Sequence, residues 1–344
     1  MESALPIILV VVKVLLVIVA VLTFVAYLTL IERKVLGWIQ VRIGPNRVGP
    51  WGLLQPLADG AKLFMKEEIT VSGANKMVYL VAPLIVVVCA LIPFAVIPFA
   101  KGLGLESILG PLASKYDLNE GVVSDLNVGI LYIFAISSLG VYGVVLGGWA
   151  SNSKYSLLGA IRSSAQMISY ELGLSLSVVG VLLLAGSLSL VQIVQAQDTV
   201  LKWYVFRQPL GFILFMIAGS AEIARTPFDL IECENELVAG YQTEYSSMKF
   251  GLFYLGEYAH LLFLSALMTT LYFGGWQGPF LPPIFWFMAK MFFFVFVFVW
   301  IRGTYPRLRY DRVMTFGWKV LLPAGLFNVM ATAFIYTVWL QYTH

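Results

Sequence analysis

Eight apolar stretches follow one another from end to end of the 344-residue chain, and they limit what it can fold into more than any other feature. They cover about 7–31, 78–100, 126–149, 165–186, 209–224, 250–273, 282–301 and 320–341. Each is long enough, or nearly so, to cross roughly 30 Å of hydrocarbon as a helix. Lipid offers no water to backbone N–H and C=O groups, so a spanning chain must be helical or a closed barrel. Barrel strands would read as short alternating segments, and the sequence shows none. The expected fold is therefore all-α: one polytopic membrane domain over residues 1–344, with about eight transmembrane helices. Composition agrees, with 60% of residues hydrophobic and 12% charged, about half the charge share of a soluble domain. The first run follows Glu2 rather than a basic start and is too long for a signal-peptide core, so it reads as a retained membrane helix. The fifth run is short, with Trp203, Tyr204 and Phe206 extending it as an interfacial belt. Pro83, Pro93 and Pro98 imply kinks in the second.

Charge gives the orientation. Sixteen Lys and Arg fall in the first, third, fifth and seventh loops and four in the loops between them, with Lys13 and Lys290 inside spans. Basic loops stay on the inner side. Both termini are thus expected outside; the inner side is cytoplasm in a bacterium or matrix in a mitochondrion, and chain length with the clean charge bias favours a bacterial inner membrane with periplasmic termini. Lys154 and Arg162 count as third-loop residues in this reading.

Residues 51–67 carry a separate pattern. Gln55, Asp59, Lys62 and Lys66 recur at helical spacing, opposite Leu53, Leu54, Leu57, Ala61, Phe64 and Met65. This predicts an amphipathic helix lying in the interface plane, with Trp51 at headgroup level. It reads either as a surface anchor or as one wall of an opening for an amphipathic, lipid-soluble ligand.

Redox and nucleotide chemistry find little support in the chain. Cys89 lies mid-span and Cys233 in a loop, an arrangement that suits neither a disulfide nor an iron–sulfur cluster. His260 lies in a span and His344 ends the chain, which suits no shared haem iron. All four read as packing or surface residues. No Walker lysine, dinucleotide fingerprint or metal-ligand cluster occurs.

Acids inside the spans are more informative, because a charge in hydrocarbon is costly and marks a functional candidate. Counted from the span boundaries, Glu222 lies about 4 Å, Glu171 about 9 Å and Glu257 about 10 Å from the inner edge. All three occupy the inner half, which implies a polar track entering from inside and stopping near mid-membrane. The fifth loop continues it with Arg225, Asp229, Glu232, Glu234, Glu236 and Glu244, either as a solvated face or as part of an ion network. The first loop begins Glu32-Arg33-Lys34. Its arginines Arg42 and Arg47 flank the first of two Gly-Pro steps that force turns.

Four blocks make the chain recognisable: 32–67 (ERKVLGWIQVRIGPNRVGPWGLLQPLADGAKLFMKE), 147–176 (GGWASNSKYSLLGAIRSSAQMISYELGLSL), 221–258 (AEIARTPFDLIECENELVAGYQTEYSSMKFGLFYLGEY) and 302–323 (RGTYPRLRYDRVMTFGWKVLLP). They resemble the quinone-site membrane subunit of proton-translocating NADH:quinone oxidoreductase, respiratory complex I, in the family that includes the bacterial H-subunit and mitochondrial NADH dehydrogenase subunit 1. The resemblance implies a subunit without a redox centre that joins the hydrophilic arm to the membrane arm and forms the mouth and much of the tunnel for quinone. It implies that quinone is substrate, while NADH, FMN and iron–sulfur clusters belong to partner subunits. Those partners are the quinone-site and terminal-cluster subunits of the hydrophilic arm and the antiporter-like and small membrane subunits, with no nucleic acid. It places Arg33, Arg42, Asp59, Lys62 and Arg302 near quinone, and Glu171, Glu222, Asp229, Glu232, Glu234, Glu236 and Glu257 in an acid chain that couples quinone reduction to proton translocation. A homologous anchor of a membrane-bound hydrogenase or ferredoxin-linked complex is the nearest alternative. A stand-alone transporter is weaker, because no internal repeat is present.

Overall fold

A computed structural model describes residues 5–102, 121–229 and 239–343. Among these, seven helices are long and apolar enough to cross a membrane, and a shorter apolar helix, Pro209–Glu222, stands among them. In chain order the α-helices are α1 (Leu5–Ile39), α2 (Gln55–Met65), α3 (Lys76–Leu91), α4 (Gly129–Ala150), α5 (Lys154–Ala185), α6 (Leu190–Gln195), α7 (Tyr204–Arg207), α8 (Pro209–Glu222), α9 (Ser247–Tyr272), α10 (Pro283–Thr304), α11 (Tyr310–Phe316) and α12 (Leu322–Thr343). The all-α membrane architecture matches the expectation from the apolar runs.

Two long helices organise the bundle. α9 is the most enclosed and packs against α3, α10, α1, α2 and α8. α5 packs against α4, α8 and α12. The α3–α4 contact and the short α8 join the two groups, and α8 brings its C-terminal end into the middle of the molecule. The small residues Ser156, Gly159, Ala160, Ser163 and Ser164 are buried on α5, and small residues let membrane helices approach closely. A Cβ on Gly148 of α4 would stand 2.3 Å from that of Ala160.

The structure corrects several boundaries. α5 begins at Lys154 rather than near 165, so Lys154 and Arg162 stand on a helix and not in a loop. Its first three turns are rich in serine and glycine, which hides them from an apolar count. At 32 residues α5 is about 48 Å long, so a depth for Glu171 counted from residue 165 has no helix end behind it. The second run is helical only to Leu91, then a 3₁₀ turn over Ile92–Ala95. Pro93 lacks the N–H that would continue the ladder. The residues Trp203, Tyr204 and Phe206 do not extend α8. Gln208 leaves the helical region (φ −132, ψ 54) and separates α7 from α8, as expected for a residue before proline. The last run starts earlier, at Tyr310, through a π turn at Gly317–Leu321. Pro323 would clash with and leave unpaired a carbonyl of that turn, and the wider turn relieves this.

The amphipathic helix forms at Gln55–Met65 with no buried residue. A 3₁₀ turn, Pro50–Gly52, precedes it. Trp51, Leu57, Phe64 and Met65 are exposed, while Ser247 Oγ donates to Leu63 O at 2.9 Å and ties its end to α9.

Candidate functional site

The site grows from the phase of three helices and one turn. On α1, Val21, Val25, Leu28, Glu32 and Val35 are all buried. Their spacing of three or four residues puts them on one face, so Glu32 enters the interior while Arg33 faces α2. On α9, Tyr254, Glu257, Tyr258 and His260 face inward together. α10 runs on to Thr304 and carries Arg302 to the same level.

The turn after α8 supplies Arg225. Ala224 takes a left-handed conformation (φ 54), and Arg225 N–H donates back to Ser220 O at 3.4 Å, which closes the helix in the manner usually served by glycine. Gln166 on α5 pins the turn, donating from Nε2 to Ala221 O at 2.7 Å and Phe228 O at 2.9 Å. Leu308 N–H donates to Pro227 O at 2.9 Å from the other side.

A buried ion cluster results. Arg225 Nε lies 2.7 Å from Glu257 Oε1, and its Nη1 lies 3.5 Å from Glu32 Oε1. Arg302 pairs with the same Glu32 oxygen. Arg225 is 4% exposed and covers the Tyr258 ring, 4.5 Å from its centroid. Burial works against the Arg225 charge, but Glu257 and Glu32 outweigh it and hold the guanidinium protonated. Two guanidiniums face two carboxylates, so the formal charges cancel. A lone buried ion is penalised far more than such a paired set.

A second cluster lies beside the first and meets a hydroxyl and an imidazole in place of a guanidinium. Glu222 Oε1 accepts from Ser137 Oγ of α4 at 2.9 Å and stands 3.3 Å from His260 Nε2. Glu171 on α5 interacts electrostatically with Glu222 and His260, and also with Ser138. A cavity of about 60 Å³ joins the clusters, lined among others by Ser137, Glu222, Glu257 and His260. It has room for on the order of four waters.

Of the three span glutamates singled out from sequence, Glu222 and Glu257 line one cavity, and Glu171 interacts electrostatically with Glu222. Asp229 is buried and paired with Arg307 at 3.2 Å. Glu232, Cys233, Glu234 and Glu236 lie outside the described residues. Of the residues expected near quinone, Arg33 pairs with Asp59 at 2.7 Å where α1 meets α2, and Gln55 holds the other Asp59 oxygen at 3.0 Å. Arg302 joins the buried cluster. Arg42 is exposed and bonded to Gln40 at 2.6 Å, and Lys62 is exposed on α2; neither joins the others. Sequence reasoning missed the interior positions of Glu32 and His260. The helical phase of α1 carried the signal for Glu32, and the three-residue step from Glu257 carried it for His260.

Known proteins align with almost the whole of this chain. It is 56% identical over 331 residues to the NADH-quinone oxidoreductase H-subunit numbered 2 in Geobacter metallireducens, covering 95% of each chain. It is 55% identical over 328 residues to the NADH-quinone oxidoreductase H-subunit numbered 1 in Geobacter sulfurreducens, covering 94% of each. To the NADH-quinone oxidoreductase H-subunit of Syntrophotalea carbinolica it is 51% identical over 338 residues, 98% of this chain and 99% of the relative. The family described as NADH dehydrogenase matches residues 12–333, a range that takes in every residue of both ion clusters, and the chain belongs to that family.

Proposed function

We propose that this chain is a membrane subunit of NADH-quinone oxidoreductase that walls the quinone tunnel and couples quinone reduction to proton translocation. One observation carries the reading: Glu222 and Glu257 line a single cavity, and Glu257 is paired with Arg225 of the Glu32–Arg225–Arg302 cluster. Proton uptake at a quinone near that cluster changes the local charge. Arg225 and Arg302 are fixed charges that cannot relay protons, but they transmit the field. The carboxylates of Glu171 and Glu222, which interact electrostatically with each other, sit within reach of that change.

The quinone-facing side starts at the membrane surface. The exposed apolar face of α2, with Trp51 beside it, suits an amphipathic, isoprenoid ligand arriving from lipid. Arg33 and Asp59 stand at the α1–α2 junction, and Arg302 leads inward, while Arg42 and Lys62 remain candidates on the outer rim. Asp229 continues the acid chain, and Glu232, Glu234 and Glu236 belong to it by their place in the sequence. Electrons come from NADH through FMN and iron–sulfur clusters held by partners, and this chain supplies positioning and charge. Its place is the bacterial inner membrane, with both termini in the periplasm.

The test uses the whole complex in proteoliposomes. Glu222→Gln and Glu257→Gln should each lower quinone reduction and proton pumping together, with assembly unchanged. The double variant should lose less activation free energy than the sum of the single losses. Strictly additive losses, or normal pumping in both single variants, would remove the coupling role.

A further inference from the structure

We propose that His260 is a proton-carrying member of the track, passing its Nε2 proton to Glu222 and taking its next proton from the Glu257 side of the cavity. This rests on the reading above and adds to it a residue that the acid chain does not contain.

Position is the first argument. His260 and Glu257 are three residues apart on α9, so their side chains lie on one helix face about 5–6 Å apart at Cβ. Both line the cavity with Glu222 and Ser137. His260 therefore stands between the cluster locked by arginine and the cluster without one. The second argument is polar satisfaction. Glu222 Oε2 and His260 Nε2 are buried and neither makes a hydrogen bond among the described residues, although Nε2 lies 3.3 Å from Glu222 Oε1. Buried polar atoms without partners call for water or a shifting proton. The third argument is chemical. His260 is the chain's one imidazole apart from the C-terminal His344, and imidazole is the side chain whose ordinary titration falls near neutral pH.

The step balances simply. Imidazolium donates its Nε2 proton to the Glu222 carboxylate, leaving neutral imidazole and a neutral carboxylic acid. No electron moves and the pair's net charge is unchanged. Reprotonation comes from the Glu257 side: the Glu257 carboxylic acid gives a proton to a bridging water as that water gives one to His260, leaving imidazolium and a carboxylate and no hydroxide.

Among the described residues the groups around His260 are few. Glu222 faces it from α8, Glu171 acts on it from α5, and Cys89 lines the cavity from α3. Tyr241 contributes from the turn before α9, and α4 offers the Ser137 hydroxyl. On its own helix Glu257 is held by Arg225, beyond which Glu32 lies on α1. On α10, Arg302 is paired with Glu32, and Lys290 is spent on the carbonyl oxygens of Phe273, Gly275 and Gln277 near the far end of α9. From α2, Asp59 is paired with Arg33, and Lys62 is exposed beyond the near end of α9.

The experiment measures quinone reduction by the whole complex in proteoliposomes from about pH 5.5 to 9, bracketing the imidazole range. His260→Asn and His260→Gln keep a polar side chain and remove the titration; Glu222→Gln runs beside them. The expected result is that both histidine variants assemble, and that the inflection nearest neutral pH disappears or moves by about one pH unit. An unchanged pH profile with Glu222→Gln impaired would overturn the His260 proposal and leave the coupling reading standing. Normal behaviour of all three variants would overturn both. Loss of assembly in both histidine variants would assign His260 to packing and end the proposal as well.

Discussion

Glu32→Gln removes the shared acceptor of the buried cluster while keeping its size. Glu32 is 3% exposed and pairs with both Arg225 and Arg302. After the change, the cluster holds two guanidiniums and one carboxylate, Glu257, and carries one uncompensated positive charge. Breaking a buried pair by neutralising one member costs about 3–5 kcal/mol. Two features reduce that here. The glutamine amide oxygen still accepts a hydrogen bond, and the Arg302 side chain, 20% exposed, regains some water. A loss of about 2 kcal/mol is the working figure, the lower range for a buried group left without its charged partner. Membrane complexes unfold irreversibly, so the assay is a rate: release of this chain from the detergent-solubilised complex at fixed temperature. If the loss falls on the native state alone, release should quicken by about thirty-fold, at 1.36 kcal/mol per decade. Arg302→Met in the Glu32→Gln background restores neutrality, and the double variant should be slower than the product of the single effects predicts. Asp198→Asn, which breaks the exposed pair with Lys202, serves as control and should change nothing measurable. A Glu32→Gln complex that behaves like the control, or a strictly multiplicative double variant, would refute the buried-cluster argument.

Three further outcomes are expected. Asp59→Asn weakens the junction with Arg33 and should lower quinone reductase activity in a complex that still assembles; unchanged activity and quinone affinity would make α2 only an anchor. Ala224→Gly suits the left-handed turn and should leave thermal stability equal or up to about 1 kcal/mol higher, whereas Ala224→Val, with a branched Cβ, should lower it markedly in the same melting assay. A reporter fused after His344 should be active only if it is of a type that works in the periplasm, and cytoplasmic activity would invert the orientation and every depth derived from it.

Much of this protein was written in its hydropathy and charge. Apolar runs of about twenty residues have one stable solution in lipid, so the all-α membrane architecture and the order of its long apolar helices followed from sequence. The cost of a carboxylate in hydrocarbon marked Glu171, Glu222 and Glu257 before any contact was known. The four recognisable blocks placed the chain in its family. Helix ends were less legible. The start of α5 is built from serine and glycine that pack closely, and an apolar count passes over small residues that are buried for their shape.

What only the tertiary structure decided is which charges meet. Sequence put Glu32 next to Arg33, but the turn of α1 sends the first into the core and the second to Asp59 on α2. Arg225 reached Glu32 and Glu257 because Ala224 bends the chain at the end of α8, and Gln166, from a different helix, holds that bend in place. His260 looked like packing in one dimension and became a neighbour of Glu222 when α8 and α9 came together. Hydrophobicity is a property of each segment alone, so it can be read along the chain. A buried ion pair depends on distances of about 3–4 Å between helices far apart in sequence, and those distances exist only once the helices have packed.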